Sequence, residues 1–186
     1  MPNDSIAANA VEDHALNVCG IVTYDGTDYH GFQVQEGVPT IQGALEQALA
    51  IISQPLSRVA GAGRTDAGVH ASGQVVGVRL AWRHGVAQLQ NAWNARLPDA
   101  ITVRDVRVAP AGFHPRFSAQ QRTYRYYLIE GDRFTLGRSP LTDRFAVYIS
   151  RPLAVEKMQA AAALMVGEHD FATFGQPTRG ESTVRQ

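Results

Sequence analysis

The sequence predicts an α+β fold, because short apolar strands and amphipathic helices follow one another over residues 16–109. The order read from the apolar pattern is strand, helix, strand, strand, helix, strand. Each helix has apolar residues on one face only, which predicts helices packed on one side of a mainly antiparallel sheet. With 186 residues and 45% hydrophobic content, the chain has enough material for one domain or two small ones.

The first elements are read from periodicity and capping. Residues 17–24 predict an apolar strand, and Thr40 then precedes a helix that extends to about residue 53. Threonine is a favoured N-cap, and apolar residues recur along this helix at i, i+3, i+4 and i+7. Residues 57–62 predict a short strand that enters a glycine-rich loop, and residues 74–81 predict the strand that leaves it.

A second helix and a further strand complete this half of the chain. Residues 86–97 carry apolar side chains on one face and end before a proline, which cannot continue a helix. Residues 101–109 predict a strand whose alternation slips near Asp105 and Val106, which predicts a β-bulge. Residues 16–110 therefore form a complete α+β domain in this interpretation.

The remaining residues, 111–186, predict fewer elements. Strands are expected at residues 122–130 and 144–149, and one helix is expected at residues 152–166. Three elements leave an apolar sheet face and open strand edges without cover. We therefore expect a second α+β domain that is incomplete.

The N-terminal residues 1–15 lack the basic start and apolar block of a signal peptide, and they predict a disordered extension. The sequence contains no apolar segment of the length needed to cross a membrane. Its single cysteine, Cys19, excludes an internal disulfide and a multi-cysteine zinc site, and the scattered histidines suggest no metal site. These features predict a cytoplasmic protein.

The net charge is zero, but acidic and basic residues are separated along the chain. Residues 1–60 hold one basic and seven acidic residues, whereas residues 61–186 hold sixteen basic and ten acidic ones. All basic residues except Lys157 are arginines, which bind phosphate bidentately and stack on bases. The separation predicts nucleic acid as a partner of the later part. Candidate phosphate contacts are Arg58, Arg79, Arg116, Arg122 and Arg125.

The glycine-rich loop at residues 61–73 is the strongest candidate for chemistry. It places Asp66 among glycines, with Arg64 two residues before the acid and His70 four residues after it. A carboxylate held on such a loop beside a guanidinium can serve as a nucleophile or a base. A dinucleotide-binding loop would need a third glycine where Asp66 stands. The residues alone also allow a plain hairpin turn with an Arg64–Asp66 salt bridge.

Several stretches, in order along the chain, resemble motifs of the TruA family of pseudouridine synthases. The stretch GRTDAGVHA at residues 63–71 places Asp66 at the family's active-site aspartate. A match of this length with the acid in place is specific, unlike a lone glycine pattern. The other stretches are YDGTDYHGFQVQ at residues 24–35, NARLPDAI at 94–101, FHPRFSA at 113–119, RTYRY at 122–126 and GEHDF at 167–171.

The resemblance implies the pseudouridine synthase fold, with two mainly antiparallel sheets side by side and helices on one face. It implies an enzyme that isomerises uridine to pseudouridine in the anticodon stem-loop of tRNA, at tRNA positions 38–40, without cofactor or metal. Asp66 would be the nucleophile, and Arg64 would be its ion-pair partner and favour its charged form. Tyr124 would stack on the extruded uracil, and Arg122 and His70 would also serve substrate binding.

Some alternatives stay open at this point. His70 could be a base or a loop anchor, and the anchor is favoured because histidines often orient polar loops. The family works as a homodimer whose tRNA spans both subunits, and its chain continues past the position of Arg185. We therefore expect a truncated chain, whose alternative function is that of a non-catalytic tRNA-binding remnant. A fragment unable to fold and an aspartate-dependent glycosidase are further alternatives, although no motif supplies the glycosidase's second carboxylate.

Overall fold

The computed structural model describes residues 14–132, 139–174 and 183–185. The predicted N-terminal extension therefore lies outside the described residues, except for His14 and Ala15. The chain divides into two compact units, the first ending at Tyr124 and the second beginning at Arg125. No helix within the described ranges is long and apolar enough to span a bilayer.

The first unit is built on a five-stranded antiparallel sheet. Its strand order is β2–β4–β1–β5, and β3 also pairs with β4. The strands are β1 (Ala15–Tyr24), β2 (Gln54–Pro55), β3 (Ala60–Gly61), β4 (Ala71–Ala81) and β5 (Ile101–Val108). The predicted α+β class and antiparallel sheet are thus confirmed, although the strand expected at residues 57–62 is only two residues long.

Two helices pack against one face of this sheet. They are α1 (Ile41–Ile52) and α2 (Val86–Asn94). Thr40 caps α1 as predicted, because its side chain accepts a hydrogen bond from the backbone N–H of Gly43. The indole N–H of Trp93 donates to the carbonyl of Leu45 at 3.1 Å, which joins the two helices inside the core. The fully buried side chains of this core include Val22, Ile41, Leu45, Leu49, Leu80, Leu89, Trp93 and Val103.

The bulge predicted in β5 is confirmed. Cys19 pairs with Arg107 and Ile21 pairs with Arg104, so Asp105 and Val106 together oppose one residue of β1. Asp105 has a φ of 54°, the left-handed conformation that a bulged residue can adopt. The bulge explains why the apolar alternation slips at this point in the sequence.

The first unit extends further along the chain than the sequence suggests. A Cβ placed on Gly77 of β4 would lie 3.2 Å from Pro115 and 3.6 Å from Phe113, so these two side chains pack directly on the strand. Arg122 donates from Nε and Nη2 to the carbonyl of Ala62, at 3.1 and 2.8 Å. The expected boundary at residue 110 is therefore displaced, because residues 111–124 are held by the first sheet and its loop.

The second unit is sparser in regular structure. Its strands are β6 (Leu128–Glu130), β7 (Val147–Ile149), β8 (His169–Asp170) and β9 (Val184–Arg185), and its helix is α3 (Val155–Ala163). The β6–β7 pair is parallel, whereas the sequence suggested mainly antiparallel pairing, and the β8–β9 pair is antiparallel. Every residue of α3 is exposed within the part of the chain that the structure describes.

Asn94, the last residue of α2, binds the outer edge of the sheet. Its side chain donates to the carbonyl of Val103 at 2.7 Å and accepts from the Val103 N–H at 2.8 Å. The amide thus satisfies both backbone groups of a buried residue on edge strand β5, as a further strand would.

We expect Asn94→Ala to lower the free energy of unfolding by about 1–3 kcal/mol, because it leaves the Val103 backbone groups without partners. Asn91→Ala, at an exposed position of the same helix, is the control and should stay within about 0.5 kcal/mol of the parent. Urea denaturation followed by circular dichroism measures both. Equal midpoints for the two variants would contradict the assigned role of Asn94.

Candidate active site

The loop that carries Asp66 connects β3 to β4. It begins where the N–H of Ala62 donates to the carbonyl of Val75, and it turns sharply where the N–H of Val69 donates to the carbonyl of Asp66. Gly68 makes this turn with a φ of 77°, which glycine adopts without steric cost. Asp66 is exposed at the turn, so its carboxylate is accessible to a ligand.

The exposed turn rests on a buried side chain. The hydroxyl groups of Tyr24 and Thr65 lie 2.7 Å apart, and Tyr24, the last residue of β1, is only 3% exposed. Burial raises the pKa of Tyr24, the hydrogen bond with Thr65 opposes the rise, and the nearby Tyr124 adds to it. A protonated hydroxyl of the core thus supports the residue directly before Asp66.

His70 closes the loop against the end of β1. Its Nδ1 lies 3.2 Å from the N–H of Gly26 and 3.1 Å from Oδ1 of Asp25. An unprotonated Nδ1 accepts from the Gly26 N–H, whereas a protonated Nδ1 donates to Asp25. In either state the ring joins the two segments, which is the geometry of a loop anchor.

Arg122 and Tyr124 approach the loop at Gly63. A Cβ placed on Gly63 would lie 3.7 Å from Nε of Arg122 and 3.8 Å from the hydroxyl of Tyr124. Arg122 also donates from Nη2 to the carbonyl of Arg116 at 3.1 Å, so its guanidinium serves backbone carbonyls. Tyr124 is 73% exposed, which leaves its ring accessible beside the loop.

The ion pair expected between Arg64 and Asp66 is not formed in this structure. The ion pairs found within the described ranges include Arg58–Glu46 and Arg104–Asp105, and none contains Arg64 or Asp66. Both residues are exposed on the loop, where water screens their attraction and side-chain entropy opposes a fixed pair.

The other candidate arginines are dispersed. Arg58 forms its hydrogen bond with Glu46 of α1 at 2.8 Å, and the guanidinium of Arg116 lies 5.7 Å from the ring centroid of Phe117. Arg79 lies on β4, and Arg125 belongs to the second unit. Among the described residues, no group of three histidine, cysteine or acidic side chains is placed to hold a metal ion.

Sequence reasoning missed the long-range hydrogen bonds that hold this loop. Tyr24 and Thr65 are 41 residues apart, and Gly26 and His70 are 44 residues apart. The available signal was that a polar-tipped aromatic residue ends a predicted strand in a matched motif, and buried tyrosines usually find a hydrogen-bond partner.

The burial of Tyr24 should make the free energy of unfolding depend on pH in the alkaline range. Its folded-state pKa lies above the unfolded value, so the unfolded chain loses its proton first as the pH rises, and the free energy of unfolding falls above about pH 10. Tyr24→Phe should reduce this fall above about pH 10, by at most about 1.4 kcal/mol per pH unit. Urea denaturation measures it, with the exposed Tyr126→Phe as control. The same fall in both variants would contradict the prediction.

Comparison with known proteins places this loop in a family. The sequence profile described as tRNA pseudouridine synthase matches residues 21–118, which include the end of β1, the Asp66 loop and β5. The protein called tRNA pseudouridine synthase A of Brevibacillus brevis is 41% identical over 158 residues, which are 83% of this chain and 62% of that protein. Its namesake in Chloroflexus aurantiacus is 43% identical over 89% of this chain and 58% of its own length.

The match covers only part of the length of these relatives. The chain spans about 60% of the length of these curated relatives, and the namesake from Rhizobium meliloti, 42% identical, gives the same share of 62%. The profile match and these identities show that the chain belongs to the TruA family of tRNA pseudouridine synthases.

Proposed function

We propose that this protein isomerises uridine to pseudouridine in the anticodon stem-loop of tRNA, at tRNA positions 38–40, with Asp66 as the catalytic carboxylate. The observation that carries the proposal is the exposed Asp66 on a turn whose flanking backbone is hydrogen-bonded to the segment that follows β1. Relatives about 40% identical bear the name of this activity. The proposed homodimer and cytoplasmic location follow from the same resemblance.

The reaction is an isomerisation that needs no further reactant. The bond between uracil N1 and ribose C1′ breaks, the base turns, and a bond forms between C5 and C1′. The proton on C5 leaves and N1 gains one, so atoms and charge balance. Asp66 supplies the nucleophile or proton acceptor for this exchange, which requires its carboxylate to be ionised and accessible.

Arg64 supports the charge of Asp66 in this proposal. Both side chains are exposed in the unbound protein, where high dielectric weakens their interaction. A nucleotide seated on the loop excludes water and strengthens the attraction between charges two residues apart. Arg64 thus acts most strongly when substrate is present, and Arg122 and His70 hold the loop backbone.

Tyr124 supplies the stacking surface for the extruded base. Its ring is 73% exposed and its hydroxyl lies next to Gly63, three residues before the carboxylate. Base–aromatic stacking contributes about 1–3 kcal/mol per base. This offsets a large part of the few kcal/mol needed to take a nucleotide out of its stack.

A second candidate function is binding of tRNA without turnover. It is favoured by the exposed apolar side chains on and after α3, among them Val155, Leu164 and Val166, which are 48%, 78% and 79% exposed. A unit that leaves so many apolar side chains exposed provides little packing that could hold a closed pocket in shape. Such a chain would still bind tRNA through its arginines, with affinity falling steeply as salt rises.

Asp66→Ala should abolish tritium release from tRNA labelled at uracil C5, because the reacting carboxylate is gone. The dissociation constant for tRNA should stay within about threefold of the parent, since phosphate contacts supply most of the affinity. Asp28→Ala, which removes an exposed carboxylate from the neighbouring segment, is the control and should keep parental turnover.

Three outcomes separate the possibilities. Tritium release by the parent and by Asp28→Ala, with none from Asp66→Ala, supports the enzymatic function. Release by Asp66→Ala would show that Asp66 is not the catalytic carboxylate. No release by a folded parent that binds tRNA would favour the non-catalytic function.

Tyr124→Ala should lower kcat/KM by about 5–150-fold, the loss expected when a base stack of about 1–3 kcal/mol is removed. Tyr124→Phe keeps the ring and should stay within about threefold of the parent. The same tritium assay measures both variants. Equal losses in the two would assign the effect to the hydroxyl and contradict a stacking role.

A further inference from the structure

Two glycines of the segment that follows β1 lie against the backbone on either side of Asp66. Gly31 contacts the residues before and at the acid, and Gly26 contacts the residues after it. Both glycines are buried, while the acid between their contact points is exposed. We call these two contacts the glycine clamp.

Gly31 lies against the peptide that joins Thr65 to Asp66. A Cβ placed on Gly31 would lie 2.7 Å from the carbonyl oxygen of Thr65 and 3.3 Å from the carbonyl carbon of Asp66. Side-chain carbons do not approach backbone oxygens so closely in folded proteins. The next residue, Phe32, donates its N–H to the same Thr65 carbonyl at 3.0 Å. Close approach here thus depends on the absence of a side chain.

Gly26 lies against the peptide that joins Val69 to His70, directly after the turn. A Cβ at this position would overlap the carbonyl oxygen of Val69 and lie 2.7 Å from its carbonyl carbon. The N–H of Gly26 lies 3.2 Å from Nδ1 of His70, the next residue of the loop. Between the two glycines, the carbonyl of Tyr29 accepts from the N–H of Gly68 at 3.2 Å.

The clamp is itself fixed to the core. The carbonyls of Gly31 and Phe32 accept from the N–H groups of Ile41 and Gln42, the first residues of α1, at 3.2 and 2.8 Å. Phe32 is 3% exposed and belongs to the core cluster with Leu45. A displacement of this segment therefore has to move the start of a helix whose inner face is buried.

We propose that Gly26 and Gly31 are positioning residues that set the place of the Asp66 carboxylate relative to the bound nucleotide. This inference rests on the proposed function. A methyl group at position 31 must push the Thr65–Asp66 peptide away by several tenths of an ångström. A misplacement of about 1 Å at a reacting group can cost about 100-fold in rate. Binding of tRNA, which uses distributed phosphate contacts, is affected much less.

Gly37 provides a matched control in the same segment. Gly31 and Gly37 both have positive φ, 90° and 76°, so alanine strains the backbone at either position. A Cβ on Gly37 meets nothing within 4 Å, whereas one on Gly31 meets the catalytic loop. The difference between the two alanine variants therefore isolates the contact from the strain.

The test compares Gly31→Ala with Gly37→Ala in the 186-residue chain by tritium release. Gly31→Ala should lower kcat by about 10–100-fold while KM for tRNA changes by less than about threefold. Gly37→Ala should keep both constants within about threefold of the parent. A parental kcat for Gly31→Ala, or an equal loss in Gly37→Ala, overturns the proposal.

A second pair covers the case in which Gly31→Ala does not fold. His70→Ala removes the ring that bonds to Gly26, and should lower kcat by about tenfold at constant KM. His70→Asn keeps a δ-position acceptor for the Gly26 N–H and should recover kcat to within about threefold of the parent. Equal activity of the two variants overturns the role of the Gly26 contact.

Hydrogen exchange separates this inference from the proposed function. The amides of Phe32 and Gly68 donate across the clamp, so their exchange should be at least about tenfold faster in Gly31→Ala than in Gly37→Ala. Unchanged exchange overturns the clamp whatever the activity. If the parent releases no tritium but the exchange differs as expected, the proposed function fails while the clamp's hold on the loop stands.

Discussion

Antiparallel pairing of β1 with β4 is the constraint on which the candidate site depends. The register runs from Ala15 opposite Ala81 to Tyr24 opposite Ala71. Because the strands run in opposite directions, the residues that follow β1 must lie beside those that precede β4. The Asp66 loop precedes β4 by a few residues, so the 25–32 segment is placed against it. The hydrogen bonds between these segments are consequences of this register.

Local chemical signals explain which parts of the fold could be predicted. The helix capped by Thr40, the bulge at Asp105 and the loop that displays Asp66 all appear where the sequence placed them. Each depends on local chemistry: a cap, a break in alternation, a cluster of glycines. The support of the loop could not be predicted in this way. Arg122 binds the carbonyl of Ala62 across 60 residues, and no local pattern states which backbone atoms a fold will bring together.

The second unit shows the limit of strand propensity. Three tyrosines favour a strand over residues 122–130, yet only Leu128–Glu130 pairs, and it pairs in parallel with Val147–Ile149. Strand propensity measures how well side chains pack on a half-buried sheet surface. Tyr126 and Tyr127 are 79% and 56% exposed, so such packing is absent for them here. Residues that favour strands do not form a ladder without neighbours to pack against, and the prediction of a long strand therefore fails.

The arrangement of the first unit reconciles exposure with order at Asp66. The Asp66 side chain is exposed, so it contributes no packing that would fix its position. The proposed function requires this exposure, because the carboxylate has to reach a nucleotide. Ordering must then come from the main chain, and the backbone groups of Thr65, Gly68 and Val69 supply it. Main-chain contacts leave the side chains of Arg64 and Asp66 directed to solvent and available to a ligand. They also require close approach of two backbones, which only glycine permits. The glycines of the YDGTDYHGF motif can thus be explained by their close approach to Thr65 and Val69 of the Asp66 loop.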